Sequence, residues 1–372
     1  MEPDRVPGTV VSGQANFYEV HLDSEAGEDR PDTLLCTCRA RLKKVGQKVM
    51  VGDRVVVEEP DWQGGRGAIA EVLPRRTELD RPPIANADQL LLVFAVAEPD
   101  PDPIALSRFL LKAESTGLEV CLCFNKCDLL PPEGLLAWRD RLLGWGYCPL
   151  LISVYEGAEY AVTEDGAIEA SRFQDSSAVR PDSLLGRLQG KTTAISGPSG
   201  VGKSSLINRL IPDSHLRVGA VSGKLGRGRH TTRHVELFDL PTGGLLADTP
   251  GFNQPGLECE PHELANYFPE IRDRLSENSC QFADCLHRDE PNCAVRGDWE
   301  RYPIYLQFLE EAIASWEAAQ HQRDAESTLK SKSKSGGKKQ YEPKLQTKKY
   351  RRSSRRLQHQ NLQQLCEELD EV

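Results

Sequence analysis

Residues Gly197-Pro198-Ser199-Gly200-Val201-Gly202-Lys203-Ser204 are spaced to hold a polyphosphate. Glycines at 197, 200 and 202 allow the backbone angles and close approach by which successive amides wrap phosphate oxygens. Lys203 is placed to bridge β- and γ-phosphates, and Ser204 to ligate Mg²⁺. The preceding Thr192-Thr193-Ala194-Ile195-Ser196 predicts a strand, and Ser204 onward predicts a helix. Such a helix faces the phosphates with its positive end.

Seventy-two residues upstream of Gly197 stands Asn125-Lys126-Cys127-Asp128, directly after the apolar run Val120-Cys121-Leu122-Cys123-Phe124. The Asp128 carboxylate can accept from both N1–H and the exocyclic amine of guanine, a donor pair that adenine lacks. Asn125 is expected to stitch this loop to the phosphate loop, and the Lys126 stem to cover the base. Ser153, at the next strand end, stands where a backbone amide would hold the base carbonyl. In an ordinary GTPase the phosphate loop comes first; here it comes second.

Asp248-Thr249-Pro250-Gly251 ends another predicted strand. Asp248 is expected to hold Mg²⁺ through water, and the Gly251 amide to meet the γ-phosphate. Between the two lies Gly226-Arg227-Gly228-Arg229-His230-Thr231-Thr232, in which one threonine can close on Mg²⁺; Thr232 is favoured over Thr231. Phe252 occupies the place of a water-orienting glutamine, and a phenyl ring cannot orient water. His230 is the substitute, because an imidazole can hydrogen-bond the attacking water. Slow intrinsic turnover follows, with a partner that orders the loop. A Ras-type GTPase gains about 10⁵-fold from its activator.

Cys280-x4-Cys285-x-His287-x5-Cys293 supplies three thiolates and an imidazole in a polar segment. That set closes a tetrahedral zinc site with no free coordination position, which is a structural arrangement. Little apolar sequence surrounds it, so the metal would provide much of the local fold.

The chain that positions these groups has 372 residues and a net charge of −10, enough for two or three domains. Residues 1–75 read as five or so short strands, a small β-barrel of the OB type, which pattern alone does not separate from an SH3-like barrel. Residues 76–257 alternate buried strands and helices, with 155–183 a polar surface insertion. Residues 258–328 read as helical and cysteine-bearing, with a long helix over 298–326. Residues 329–372 form a basic tail, disordered when alone, with a short terminal helix at 357–369. The tail carries +7, so the first 328 residues carry −17. An acidic body argues against indiscriminate nucleic-acid binding, while twelve Lys/Arg within 329–356 favour an RNA tether. The longest apolar run is too short to cross a bilayer, and the N-terminus has no signal-peptide pattern, so a cytoplasmic monomer without membrane contact is expected. Cys36 and Cys38 read as strand residues rather than metal ligands.

Together these residues resemble one family, the circularly permuted, small ribosomal subunit-dependent GTPases known as RsgA or YjeQ. The order of 125–128, then 197 to Ser205, then 230–232, then 248–251 followed by Phe252 is that family's. So are the lead-in Arg81-Pro82-Pro83 to Asp88-Gln89 and the cysteine–histidine spacing. The resemblance covers roughly residues 5–320 and departs from the family at the long 155–183 segment and the basic tail. It implies an OB barrel, a permuted GTPase core and a zinc-bearing helical domain. It further implies late maturation of the small subunit and its rRNA, with GTP hydrolysis stimulated by the subunit and followed by release. The water-orienting histidine would be His230. In this order the 248–251 segment runs almost directly into the zinc domain, so nucleotide state is expected to set that domain's pose. A different class of reading is an RNA-binding module that uses guanine nucleotide only as a structural ligand. It would rest on the barrel, Lys43-Lys44, Arg227, Arg229, Arg233 and the tail, with Phe252 in its support. An ATPase is disfavoured by Asp128.

Overall fold

Short β-rich runs separated by Gly and Asp turns come first in the chain, and they close on themselves. The computed structural model describes residues 5–23, 31–44, 46–80, 83–163, 165–173, 180–211, 235–248, 259–326, 329–333 and 339–343. Strands β1 (Arg5–Gln14), β2 (Phe17–Leu22) and β3 (Thr33–Cys38), a turn of helix α1 (Ala40–Lys44), β4 (Arg54–Asp61) and β5 (Arg66–Val72) form the barrel. β3 pairs parallel with β5, and β4 pairs back onto β1, which closes the ring in the order 1-2-3-5-4. This closure selects the OB-type barrel over the SH3-like one. Val10, Val20, Leu34, Val55, Val57 and Ile69 fill it with no solvent exposure.

Asp53 is fully buried in the barrel and accepts from Arg75 Nε and Nη2, at 2.7 and 2.9 Å, and from the Met50 amide at 2.7 Å. Arg75 thereby pins the exit of the barrel. A two-stranded link, β6 (Glu78–Asp80) with β7 (Pro83–Ala85), follows.

The α/β part contains β8 (Gln89–Ala95), α2 (Pro103–Glu114), β9 (Glu119–Asn125), α3 (Pro132–Gly144), β10 (Leu150–Ser153), β11 (Ala158–Val162), β12 (Ile168–Arg172), α4 (Leu184–Leu188), β13 (Thr192–Ser196), α5 (Lys203–Leu210), β14 (Glu236–Asp239) and β15 (Leu245–Asp248). Strand order is β12-β11-β10-β9-β8-β13-β15-β14, with β10, β9, β8, β13 and β15 parallel. All seven residues of β8 are buried because helices cover both faces. Leu90, Leu92 and Phe94 pack with Leu106, Phe109 and Leu142, whereas Leu91 and Val93 pack with Leu184, Leu188 and Leu206. Asp102 caps α2 by accepting from the Ile104 and Ala105 amides, with Pro103 at the first helical position. β14 also bridges to the barrel, Ser12 standing opposite Glu236.

Within 155–183, expected as a polar surface insertion, residues 158–162 and 168–172 extend the sheet as the β11–β12 hairpin. Glu159 is 8% exposed there, its Oε1 accepting from the Leu184 amide at 3.2 Å. A buried carboxylate in a five-residue strand is what hid the pattern.

Helix α6 (Pro269–Glu277) and helix α7 (Tyr302–Glu326) follow. Arg301 and Glu270 form a buried ion pair, Nε to Oε1 at 2.6 Å, among the rings of Trp145, Tyr147 and Phe268. Trp145 Nε1 donates to Glu300 at 2.8 Å, and Arg108 takes Glu311 through two nitrogens at 2.8 and 2.9 Å. These contacts dock the helical part on α2 and the end of α3. The compact unit that contains them ends at Ala312. In the second unit β16 (Leu329–Ser333) pairs antiparallel with β17 (Lys339–Pro343), regular structure where the sequence suggested disorder. The terminal helix expected at 357–369 lies outside the described residues.

Candidate functional site: a guanine nucleotide cleft and a thiolate cluster

Strand β13 ends at Ser196 and the chain turns through Gly197 at φ 144°, where a β-carbon would strike the Val93 carbonyl oxygen at 2.0 Å. Glycine is therefore required at the mouth of the loop that lies over β8. Gly202, at φ 98°, ends the loop and α5 begins at Lys203, so Ser204 and Ser205 stand in its first turn. The loop of Pro198, Ser199, Gly200 and Val201 thus faces a helix N-terminus, which suits an anion. Lys203 Nζ donates to the carbonyls of Gly197 at 2.8 Å and Pro198 at 2.6 Å. Burial pushes this ammonium down, and the charge of Asp248 opposes that shift. A phosphate in the loop offers the ammonium a stronger partner than two carbonyls.

The second loop leaves β9 at Asn125. Asn125 is 3% exposed, donates from Nδ2 to the Val201 carbonyl at 2.8 Å and accepts at Oδ1 from the Val154 amide at 3.1 Å. One carboxamide therefore joins both loops and the end of β10. Lys126 sits in the left-handed region, φ 64°, and its ammonium donates to the Glu98 carbonyl. Cys127 is buried, its thiol 3.4 Å from the Phe124 carbonyl and pushed up to about 12 by burial. Asp128 accepts at Oδ1 from the Ser153 hydroxyl, which itself accepts from the Glu156 amide at 3.1 Å. Ser153 is fully buried, so its hydroxyl orients Asp128, a role the sequence did not reveal because only a backbone contact was expected there.

Asp248 ends β15 beside the phosphate loop, in register with Ile195 on one side and Glu236 on the other. Burial, then the carboxylates of Glu19 and Asp248, pushes Glu236 up. His230, Thr231, Thr232, Gly251 and Phe252 lie outside the described residues.

The four thiolate-cluster residues converge as spaced. His287 Nδ1 stands 3.5 Å from Cys280 Sγ, 3.4 Å from Cys285 Sγ and 3.5 Å from Cys293 Sγ. The sulfurs of Cys280 and Cys293 are 3.9 Å apart. A tetrahedral zinc with Zn–S of about 2.3 Å and Zn–N of about 2.0 Å has edges of about 3.8 Å (S···S) and about 3.5 Å (S···N). The donors fit that ion. Sequence spacing did not show what supports them. Glu290 takes the Leu286 and Arg288 amides, both at 2.8 Å, while Tyr305 and Tyr302 donate to the carbonyls of Leu286 at 2.8 Å and His287 at 2.9 Å.

Five parallel strands with a glycine-rich loop and helix N-terminus after a central strand, the Asn125–Asp128 loop after an earlier strand and a carboxylate on a third have the layout of a circularly permuted P-loop GTPase. The comparisons agree. The RsgA GTPase family model matches residues 72–169 and 167–258. A Trichormus variabilis protein named small ribosomal subunit biogenesis GTPase RsgA is 61% identical over 97% of this chain and 97% of its own length. A Synechocystis protein of the same name is 51% identical over 98% and 96%. Among solved structures, YjeQ from Thermotoga maritima is similar with a TM-score of 0.65, 32% identity and coverage of 83% of this chain and 99% of that one. YloQ, described as a circularly permuted GTPase, gives 0.63, 32%, 84% and 96%. The chain belongs to the RsgA GTPase family and is a GTP-hydrolysing enzyme.

Proposed function

We propose that this GTPase binds the small ribosomal subunit and assists its late maturation, with hydrolysis stimulated by the subunit and coupled to release. The observation that carries the reading is the Asn125 carboxamide, which holds a guanine reader and a phosphate nest together in permuted order. The names of the full-length relatives supply the subunit as partner.

In this reading Asn125, Lys126, Cys127, Asp128 and Ser153 hold the base, and residues 197–205 with Asp248 and Gly251 hold the phosphates. Ser204, Thr232 and Asp248 would hold Mg²⁺, which shields phosphate charge during transfer. Lys203 would stabilise the charge that develops on the β–γ bridge, and His230, with Thr231 and Thr232 beside it, would orient water. Cys280, Cys285, His287 and Cys293 would hold one structural zinc. The OB-type barrel and the basic tail would contact rRNA, in a cytoplasmic monomer without membrane contact. The domain limits 1–75, 76–257 and 258–328 serve these three roles.

GTP turnover measured with and without purified small subunits tests the proposal. Stimulation by orders of magnitude is expected, with ATP ignored. Equal turnover in both conditions would favour an RNA-binding module that uses the nucleotide only structurally.

A further inference from the structure

A cavity of about 180 Å³ is lined by the lead-in to β10, by β11 and by the segment that becomes α4. None of the nucleotide-loop residues lines it. Room for about six waters, at roughly 30 Å³ each, is room for a phosphate group. Three arginines line it, Arg139 from α3, Arg180, and Arg187 from α4, together with Glu159 and Asp182.

The Arg180 guanidinium has a donor to spare. Arg180 Nε is buried with no hydrogen-bond partner, 3.9 Å from Asp182, while its Nη2 stands 4.0 Å from Glu159. Both distances lie outside hydrogen-bond range. Glu159 is already engaged with the Leu184 amide at 3.2 Å. Arg187 lies close enough for its charge to act on the Cys121 thiol, and Arg139 pairs with its neighbour Asp140 at 3.0 Å. A buried N–H left unpaired is costly, and a bound acceptor would relieve it.

The backbone that presents two of these arginines is fixed. Ser183 Oγ donates to the Arg180 carbonyl at 2.7 Å and accepts from the Gly186 amide at 3.2 Å, while the Arg187 amide donates to the Ser183 carbonyl at 3.0 Å. A β-carbon on Gly186 would lie 1.9 Å from the Arg180 carbonyl oxygen, so the turn closes only around glycine. Arg180 and Arg187 are thereby held on one cavity.

We propose that this cavity is a second anion site, which takes a phosphate group on the Arg180 and Arg187 guanidiniums with Arg139 as a third cation. Planar guanidinium forks suit the several acceptor oxygens of a phosphate better than a point charge would. The phosphate can belong to an RNA backbone or to a small phosphate compound.

Cys148 is exposed and lines the same cavity, which makes its thiol a reporter. The full chain, its P-loop saturated with GDP and Mg²⁺, is titrated with pyrophosphate, and alkylation of Cys148 is followed by peptide mass spectrometry with Cys259 as reference. Pyrophosphate should slow Cys148 alkylation at least about fivefold. Arg180→Ala and Arg187→Ala should abolish the protection, Arg187→Lys should keep part of it, and basal GTP turnover should not change. Short single-stranded RNA forms the second arm. Protection by both ligands assigns the site to phosphodiesters, and protection by pyrophosphate alone assigns it to small phosphates. An unchanged Cys148 rate under both ligands, or full protection in Arg187→Ala, overturns the proposal.

Discussion

A β-carbon at position 202 would lie 2.4 Å from the side-chain nitrogen of Asn125. Gly202 and Asn125 follow strands β13 and β9, which lie on either side of β8. The spacing between the 125–128 loop and the 197–202 loop is therefore set by one side chain against one glycine, not by chain continuity.

Replacing Asn125 with Ala leaves the Val201 carbonyl and the Val154 amide without their partner, at about 1–3 kcal/mol for each buried group. GTP affinity should fall by about 10- to 100-fold, equivalent to about 1.4–2.8 kcal/mol. Gly202→Ala should do the same through the clash. Fluorescent-nucleotide titration of both variants checks this, and wild-type affinity in either would remove Asn125 from the role.

Ser153→Ala frees Asp128 from its hydroxyl partner without touching the phosphate loop. KM for GTP should rise about 5- to 30-fold, as expected from about 1–2 kcal/mol, with kcat retained. Asp128→Asn should go further and prefer xanthosine triphosphate, because an amide can donate to the carbonyl that replaces the exocyclic amine. Steady-state kinetics with both nucleotides gives the answer.

Elemental analysis should find one zinc per chain. Cobalt substitution should give the visible bands of a tetrahedral thiolate site. Cys285→Ser should lower Tm by about 5 °C or more while guanine affinity stays the same. Wild-type Tm in a metal-free protein would contradict a structural role.

Breaking the Arg301–Glu270 pair from one side leaves a buried charge among aromatic rings. Arg301→Met alone, or Glu270→Leu alone, should cost about 3–5 kcal/mol in chemical denaturation. The double variant should recover most of that loss. Additive losses would mean that the two charges act independently.

Burial pushes the Glu159 carboxylate up, against the Leu184 amide and Arg180, which pull it down. A raised folded value means that this group favours folding fully below the unfolded carboxylate value of about 4.3, and that the benefit is lost as pH climbs through the folded value. Glu159→Gln removes that titration. The Tm difference between variant and parent should be near zero at about pH 4 and grow in the variant's favour toward neutrality. A difference that stays constant across the range would count against burial as the cause.

What the sequence disclosed was whatever lies contiguous in it. Residues 197–204, 125–128 and the spacing of Cys280 to Cys293 lie in short stretches; Asn125 joins the first two as expected, and the four cysteine and histidine donors converge. The Arg301–Glu270 pair was not legible, because two charges 31 positions apart look like solvated surface until aromatic rings enclose them. The long helix expected over 298–326 begins only at Tyr302, because Trp299 turns back before it and donates to the Val295 carbonyl at 3.0 Å. The β11–β12 hairpin stayed hidden because β12 buries little and β11 buries an acid.

The central position of β13 has a consequence for synthesis. β8 leaves the ribosome with its other neighbour, β9, soon behind it, but its partner β13 follows 104 positions later along the polypeptide, as Gln89 to Thr193. At 5–20 residues per second, the nascent β8 edge waits on the order of 5–20 s for that partner. Through that interval an apolar strand has one ladder unmade, so the young chain carries a sticky margin that only translation of the phosphate loop's own strand can seal.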